Sequence, residues 1–334
     1  MRKRIPTPYI FLRYPRSKRK INLADQLKVN YGNHRSGWSY AIQCLAKLHN
    51  PRGVKIDTFI ERTFFWHPQG IKPHQEPWIG FIHVPPNVPD WFMYEQSNDR
   101  IIQSEAFQRS VPYCRGLFVL SDYHKRSLEK KLDLPINNLL FPTETPRLKW
   151  SWKRFEANSE KKIIQVGWWL RKLHSIFLLN TGQYKKIFLD PANPHLKALL
   201  SKEATILRKE RKVTSDLYHQ AERIPFLDNA EYDLLLSKNI VMIDLYDASA
   251  NNTVIECIAR NTPLLVNPIE GVVEYLGKDY PFYFESLDEA AAKAENLDLV
   301  HQAHRFLVNH PIKPMLKRSY FLDSFVQSEV YSGL

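Results

Sequence analysis

The stretch DASANNTVIE, residues 247–256, gathers the residue types that hold a phosphorylated ligand. An apolar run, NIVMIDLY (239–246), leads into a polar loop carrying Asp247, Ser249 and Asn251. Asn252 or Thr253 then opens a helix, where unpaired backbone N–H groups and the positive end of the helix dipole suit a phosphate. Glu256 lies one turn further, on the same face as Asn252 (i, i+4), at a depth where a carboxylate accepts hydrogen bonds from ligand hydroxyls. The same pattern also describes an ordinary capped helix with an exposed glutamate. A second group follows the apolar KKIIQV: Gly167, then Arg171 and Lys172 at the start of a helix. Cations at a helix N-terminus oppose its dipole. They are suited to charge developing on an anionic leaving group, although a solvated Arg-Lys pair has the same sequence. His83 closes the apolar run PWIGFIHV. An imidazole there can carry either protonation state near neutrality, or serve only in packing. Gly32 and Gly37 lie in the loop NYGNHRSGW, and Ser121 is placed to cap the helix DYHKRSLEKKL.

These residues need a scaffold that alternates strand and helix. After the glycine loop, Trp38, Ala41, Ile42, Leu45 and Ala46 recur at helical spacing. Apolar runs at 54–60, 77–84, 116–121 and 139–143 predict four strands. Residues 144–160 are polar and read as a linker. A second series comes next, with strands at 161–169, 184–190, 222–228, 239–246 and 262–267 and helices at 229–237 and 252–260. From about 311 the aromatic spacing predicts a final amphipathic helix. Alternation of this kind implies mainly parallel sheets covered on both faces, with ligands at the carboxyl ends of the strands.

Composition narrows the class. The 334 residues are 44% hydrophobic and 13% aromatic, enough for a substantial core and inconsistent with a disordered chain. No apolar run approaches the roughly 18 residues of a membrane span, and the basic N-terminus lacks the apolar core of a secretory signal. Three scattered cysteines argue against a disulfide framework or zinc ribbon and for a reducing, cytoplasmic setting. The net charge of +12 resides wholly in residues 1–150, and the first 20 residues hold eight Lys and Arg with no acid. That is either a solvated basic tail or an attraction to an anionic membrane surface or acceptor. No helix-turn-helix, zinc-finger or RRM signature speaks for nucleic acid. Neither a Walker A loop nor GxGxxG occurs, and no metal site is evident; His301 and His304 lack a third ligand.

Three passages, in order and spacing, resemble the retaining glycosyltransferase family 4 of the GT-B class. They are GLFVLSDYHKRSLEKKLDLPINNLLFPTE, IIQVGWWLRKL and NIVMIDLYDASANNTVIECIARNTPLLVNPIEGVVEYLG. Glu256 matches the second of the family's paired glutamates, which binds the donor ribose. Ala248 stands where the first, a donor-sugar ligand, belongs, with Asp247 beside it. Asn261-Thr262-Pro263 matches the entry to the family's next strand, and the segment from Gly271 to Glu274 matches the one after it. The resemblance covers about residues 25–280. It implies an α/β GT-B fold of two Rossmann-like, doubly wound domains facing a central cleft. The expected segments are 1–24 (basic), 25–145 (acceptor domain), 160–310 (donor domain) and 311–334, packing back on the first domain.

For function, the resemblance implies transfer from a nucleotide-diphosphate sugar to a hydroxyl of a glycan or lipid-linked acceptor. The configuration would be retained, with no metal and no cofactor beyond the donor substrate. His83, Arg171 and Lys172 would act at the reacting centre. Gly167, Asp247, Ser249, Asn251, Asn252, Thr253 and Glu256 would hold the donor, and Gly32, Gly37 and Ser121 would line the acceptor side. The basic terminus would touch an anionic membrane peripherally. The alternative is a non-catalytic GT-B-like module that binds glycan, lipid or nucleic acid through its basic face.

Overall fold

The computed structural model describes residues 19–28, 37–191, 193–210 and 220–334. In chain order the first series runs β1 (Ile21–Asn22), α1 (Trp38–Leu45), β2 (Val54–Asp57), a π-helical turn (Arg62–Trp66), β3 (Trp78–Phe81), α2 (Asn98–Gln103), α3 (Glu105–Ser110), β4 (Cys114–Val119), α4 (Asp122–Glu129) and β5 (Ile136–Asn138). These strands form one parallel sheet in the order β1-β2-β3-β4-β5. The second series is α5 (Trp152–Glu156), β6 (Lys162–Gln165), α6 (Ser175–Leu178), β7 (Lys185–Leu189), α7 (Leu196–Lys209), β8 (Glu222–Ile224), α8 (Asn229–Leu236), β9 (Ile240–Ile243), α9 (Asn252–Arg260), β10 (Leu264–Val266) and α10 (Glu270–Leu276). Its parallel sheet runs β10-β9-β6-β7-β8, so strand order reverses between β9 and β6. In an open α/β sheet that switch point opens a crevice at the carboxyl ends. Four helices close the chain: α11 (Leu287–Glu295), α12 (Leu297–Val308), α13 (Arg318–Gln327) and α14 (Glu329–Ser332).

Both sheets are covered on two faces, which explains their continuous apolar strands. All four residues of β9 are fully buried. On one face of the first sheet Phe81 and Phe118 stack at 4.9 Å, and Phe325 of α13 stacks on Phe118 at 4.7 Å. On the other face Trp78, Leu117 and Val119 pack with Phe64, Phe107 and Leu128. The closing helices thus return to the first sheet, where the Val330 N–H donates to Asn137 Oδ1 at 2.9 Å. Among the described residues no helix is long and apolar enough to cross a membrane.

Several elements differ from expectation: Ile21–Asn22 forms a strand, and Arg171 and Lys172 precede a helix that starts only at Ser175. The strand expected at 139–143 is instead β5, Ile136–Asn138, the fifth of the first sheet. Residues 139–143 instead cross toward the second sheet: the Phe141 N–H donates to the Tyr275 hydroxyl at 3.1 Å and the Thr143 N–H to the Leu316 carbonyl. The polar segment 144–160 is not a bare linker. Trp150 is buried with its indole N–H on the Asn239 carbonyl at 3.0 Å, and Ser151 caps α5. The single final helix is two, broken at Ser328, whose hydroxyl caps α14.

Candidate functional site

The loops that carry the candidate donor residues leave adjacent strands at the switch point. Strand β6 ends at Gln165 and releases Gly167 to Lys172. Strand β9 ends at Ile243 and releases the loop to Asn251 that starts α9. The helix begins where the sequence placed it, at Asn252. Asn251 caps it: its Oδ1 accepts from the N–H groups of Thr253 at 3.0 Å and Val254 at 3.4 Å. Arg171 pins the two loops together. Its Nη2 donates to Asn251 Oδ1 at 3.2 Å and Thr253 Oγ1 at 3.1 Å, Nη1 to the Trp169 carbonyl at 2.6 Å, and Nε to the Val166 carbonyl at 3.3 Å. Gly167 makes this possible. It has φ 80°, and a β-carbon there would fall 2.9 Å from Arg171 Nη2. Burial lowers the Arg171 guanidinium to about 10, which leaves it charged at neutrality.

Lys172 is 42% exposed and pairs with Asp244 at 2.8 Å. Glu256 is 5% exposed, and Tyr232 of α8 donates its hydroxyl to Glu256 Oε2 at 2.7 Å. The charge of Glu256 is one of those that act on Arg171. The structure therefore brings Gly167, Arg171, Asn251, Asn252, Thr253 and Glu256 to one helix start, with Lys172 beside them.

The other candidates stand at the meeting of the two sheets' carboxyl edges. Asp247 accepts the Asn87 N–H at 2.7 Å and the Tyr123 hydroxyl at 2.8 Å on Oδ2, and its own neighbour Ala248 N–H on Oδ1. Ser249 lies in a buried chain with Ser121, His124 and Asn98. The Asn98 amide donates to His124 Nε2, so Nδ1 carries the proton and donates to Ser249 Oγ at 3.0 Å. The Ser249 and Ser121 hydroxyls share a hydrogen bond at 3.0 Å, and Ser121 Oγ also accepts the His124 N–H. Burial holds His124 down at about 3, so this chain stays neutral. Glu274 of α10 completes the contact by accepting the first N–H groups of α4, from Asp122 at 2.7 Å and Tyr123 at 2.5 Å. Ala248 is pressed against α10: a β-carbon on Gly271 would lie 2.0 Å from the Ala248 carbonyl oxygen.

On the first sheet, His83 follows β3. Its Nε2–H donates to the Thr58 carbonyl at 2.9 Å, and its ring packs edge-on against Trp38 at 4.3 Å and Phe59 at 4.7 Å. Burial lowers it to about 4, so it is neutral at pH 7. Gly37 precedes α1 as its N-cap residue. Gly32 lies outside the described residues.

Sequence reasoning missed Glu61, Asn87, Tyr123, Tyr232 and His124. Glu61 is fully buried, and its Oε1 accepts the N–H groups of His83 and Val84, each at 2.7 Å. No local spacing marks these residues, because each acts on an element distant in sequence. Among the described residues no group of three His, Cys, Asp or Glu is placed to hold a metal.

Fold and edge-to-edge arrangement are those of the GT-B architecture. Solved structures of that kind superpose on most of the chain. A UDP-forming α,α-trehalose-phosphate synthase from Burkholderia vietnamiensis matches with TM-score 0.54 and 14% identity, covering 88% of this chain and 75% of that one. HepE of Anabaena, solved in complex with UDP-glucose, matches with TM-score 0.56 and 12% identity over 77% and 72%. S. aureus TarM, solved with UDP and α-GlcNAc-glycerol, matches with TM-score 0.53 and 14% identity over 76% and 50%. In sequence, no protein-family model and no curated protein matches the chain. At these identities the likeness establishes the fold.

Proposed function

We propose that the chain is a glycosyltransferase that moves a sugar from a nucleotide-diphosphate sugar to a hydroxyl acceptor. The observation that carries this is the convergence of Arg171, the start of α9 and Glu256 at the strand-order switch of the second sheet. The donor diphosphate would meet the N–H groups around Asn252 and the exposed Lys172. Arg171, whose donors are engaged by the protein, would contribute its field and hold the two loops in place. Glu256, oriented by Tyr232, would accept the ribose hydroxyls. A fixed cationic field of this kind stabilises charge that develops on departing diphosphate. The acceptor would lie over His83 and the aromatic wall of Trp38, Phe59 and Trp66, the last 38% exposed, whose faces suit the C–H surfaces of a glycan. The departing diphosphate would take the acceptor proton, a route that suits retention of configuration without a metal.

Structures of this fold solved with UDP or UDP-glucose make UDP-glucose the first probe. Saturating UDP-glucose is expected to raise the melting temperature by mass action, and Glu256→Ala to reduce that shift. Slow release of glucose from UDP-glucose marks a transferase. Binding without release favours the alternative, a non-catalytic module, which Ala248 and the engagement of Asp247 by the first sheet support. Neither binding nor release with UDP-, GDP-, CDP- or TDP-sugars overturns the proposal.

A further inference from the structure

His83 and Asn87 are the two ends of one short strap. At its start, Glu61 holds the backbone: Oε1 accepts the His83 and Val84 N–H groups, each at 2.7 Å. In its middle stand Pro85 and Pro86, whose fixed φ leaves few other paths for the chain. At its end, the Asn87 N–H donates to Asp247 at 2.7 Å and the Asn87 side chain to the Tyr123 hydroxyl at 2.5 Å. One strap therefore joins the histidine of the acceptor wall to the loop that precedes α9. Among the described residues the Glu61 side chain makes no other hydrogen bond. It is fully buried, and its Oε2 has no hydrogen-bond partner among the described residues. A buried carboxyl with an idle oxygen is costly, and the two amides on the other oxygen offset part of that cost.

We propose that Glu61 is a positioning residue that, by clamping the His83 and Val84 amides, sets both the His83 ring and the grip of Asn87 on Asp247. This rests on the transferase proposal for its kinetic consequence but not for its structural one. Burial with the backbone donors on one oxygen also fits a carboxyl that a glutamine can replace. The substitution Glu61→Gln keeps an oxygen for both amides, whereas Glu61→Met fills the space with a side chain that accepts nothing.

The test measures UDP-glucose hydrolysis, UDP-glucose binding by calorimetry and amide hydrogen exchange on wild type, Glu61→Met and Glu61→Gln. Glu61→Met is expected to lower kcat about 10–100-fold, to leave the dissociation constant of UDP-glucose within about twofold, and to speed exchange both at 83–87 and at 245–249. Glu61→Gln is expected to restore all three. Unchanged kcat in Glu61→Met, or equal loss in Glu61→Gln, overturns the proposal. Should Glu61→Met not fold, Asn87→Pro removes the amide that Asp247 accepts and is expected to give the same kinetic split; unchanged kcat there overturns it. If wild type neither binds nor hydrolyses any of the UDP-, GDP-, CDP- and TDP-sugars, the transferase proposal is what has failed. The exchange data then decide alone: faster exchange at 245–249 in Glu61→Met upholds the clamp, and unchanged exchange there overturns it.

Discussion

Glu61 and His83, joined by a backbone hydrogen bond, are shifted in opposite directions by the same cause. Burial pushes Glu61 up to about 7, with the Val84 and His83 amides pulling back and the charge of Asp57 adding. Burial pulls His83 down to about 4. At pH 7 His83 is therefore neutral, and Glu61 stands near the midpoint of its titration. For Glu61 the consequence is a stability that falls with pH. Its folded-state value lies above the ordinary 4.5, so the fold binds a proton that the unfolded chain releases. The contribution is fully present below 4.5 and is lost as pH rises to 7, an effect of up to about 3 kcal/mol. Glu61→Gln, which stays neutral throughout, is expected to flatten this slope. Urea unfolding at pH 5 and pH 8 measures it: a wild-type decline that persists undiminished in the variant excludes Glu61 as its source. Nothing in the sequence hinted at this residue. Glu61 is a lone acid beside Arg62, and its importance comes from amides 22 and 23 residues away. Arg171 and Glu256 were legible because a local motif carries them, although the motif did not disclose that the protein itself engages the guanidinium.

At the level of elements, α9 was legible to the residue and β5 was not. Two asparagines and a threonine ahead of an apolar helical face form a complete start signal, and Asn261 in the left-handed region at φ 61° ends the helix one turn after Cys257. The β5 region offered only an apolar run, LLF, and the register went instead to Ile136–Asn138, the residues that lie opposite Leu117–Val119. The cap of α9 does more than start a helix, because Asn251 Oδ1 serves two helix amides and a buried guanidinium together. Asn251→Ala removes the cap, a loss of about 1 kcal/mol, and leaves a buried charged donor without one acceptor, about 1–3 kcal/mol more. The second term is the larger, so Asn251→Asp, which keeps the oxygen and adds a charge opposite Arg171, is expected to recover most of the loss. Denaturant midpoints at constant m-value measure both variants. Equal destabilisation by alanine and aspartate would mean that the Arg171 contact carries little of the energy.

For the molecule as a whole, the question is what holds two parallel sheets edge to edge. Two kinds of contact cross between them around α4. The Arg126 pairs with Glu270 and Glu274 lie at the rim, where Arg126 is 55% exposed, and exposed ion pairs of this kind contribute at most about 1 kcal/mol and weaken with salt. The Glu274 carboxylate on the first amides of α4 differs in kind. It satisfies two N–H groups that the helix cannot pair itself and places negative charge at the positive end of the dipole. Charge-assisted bonds to backbone donors are about twice as strong as neutral ones. Behind it the neutral chain from Asn98 through His124 and Ser249 to Ser121 is fully buried and indifferent to salt. The backbone contact of Glu274 should therefore outweigh the rim pairs. Glu274→Ala is expected to loosen the two sheets without unfolding either. Small-angle scattering of the unliganded protein would then give a radius of gyration above that of wild type, for which about 20 Å is the compact expectation. Arg126→Ala should leave the radius unchanged at any salt concentration. If Arg126→Ala expands the molecule and Glu274→Ala does not, long-range charge rather than helix capping sets the closure of the cleft.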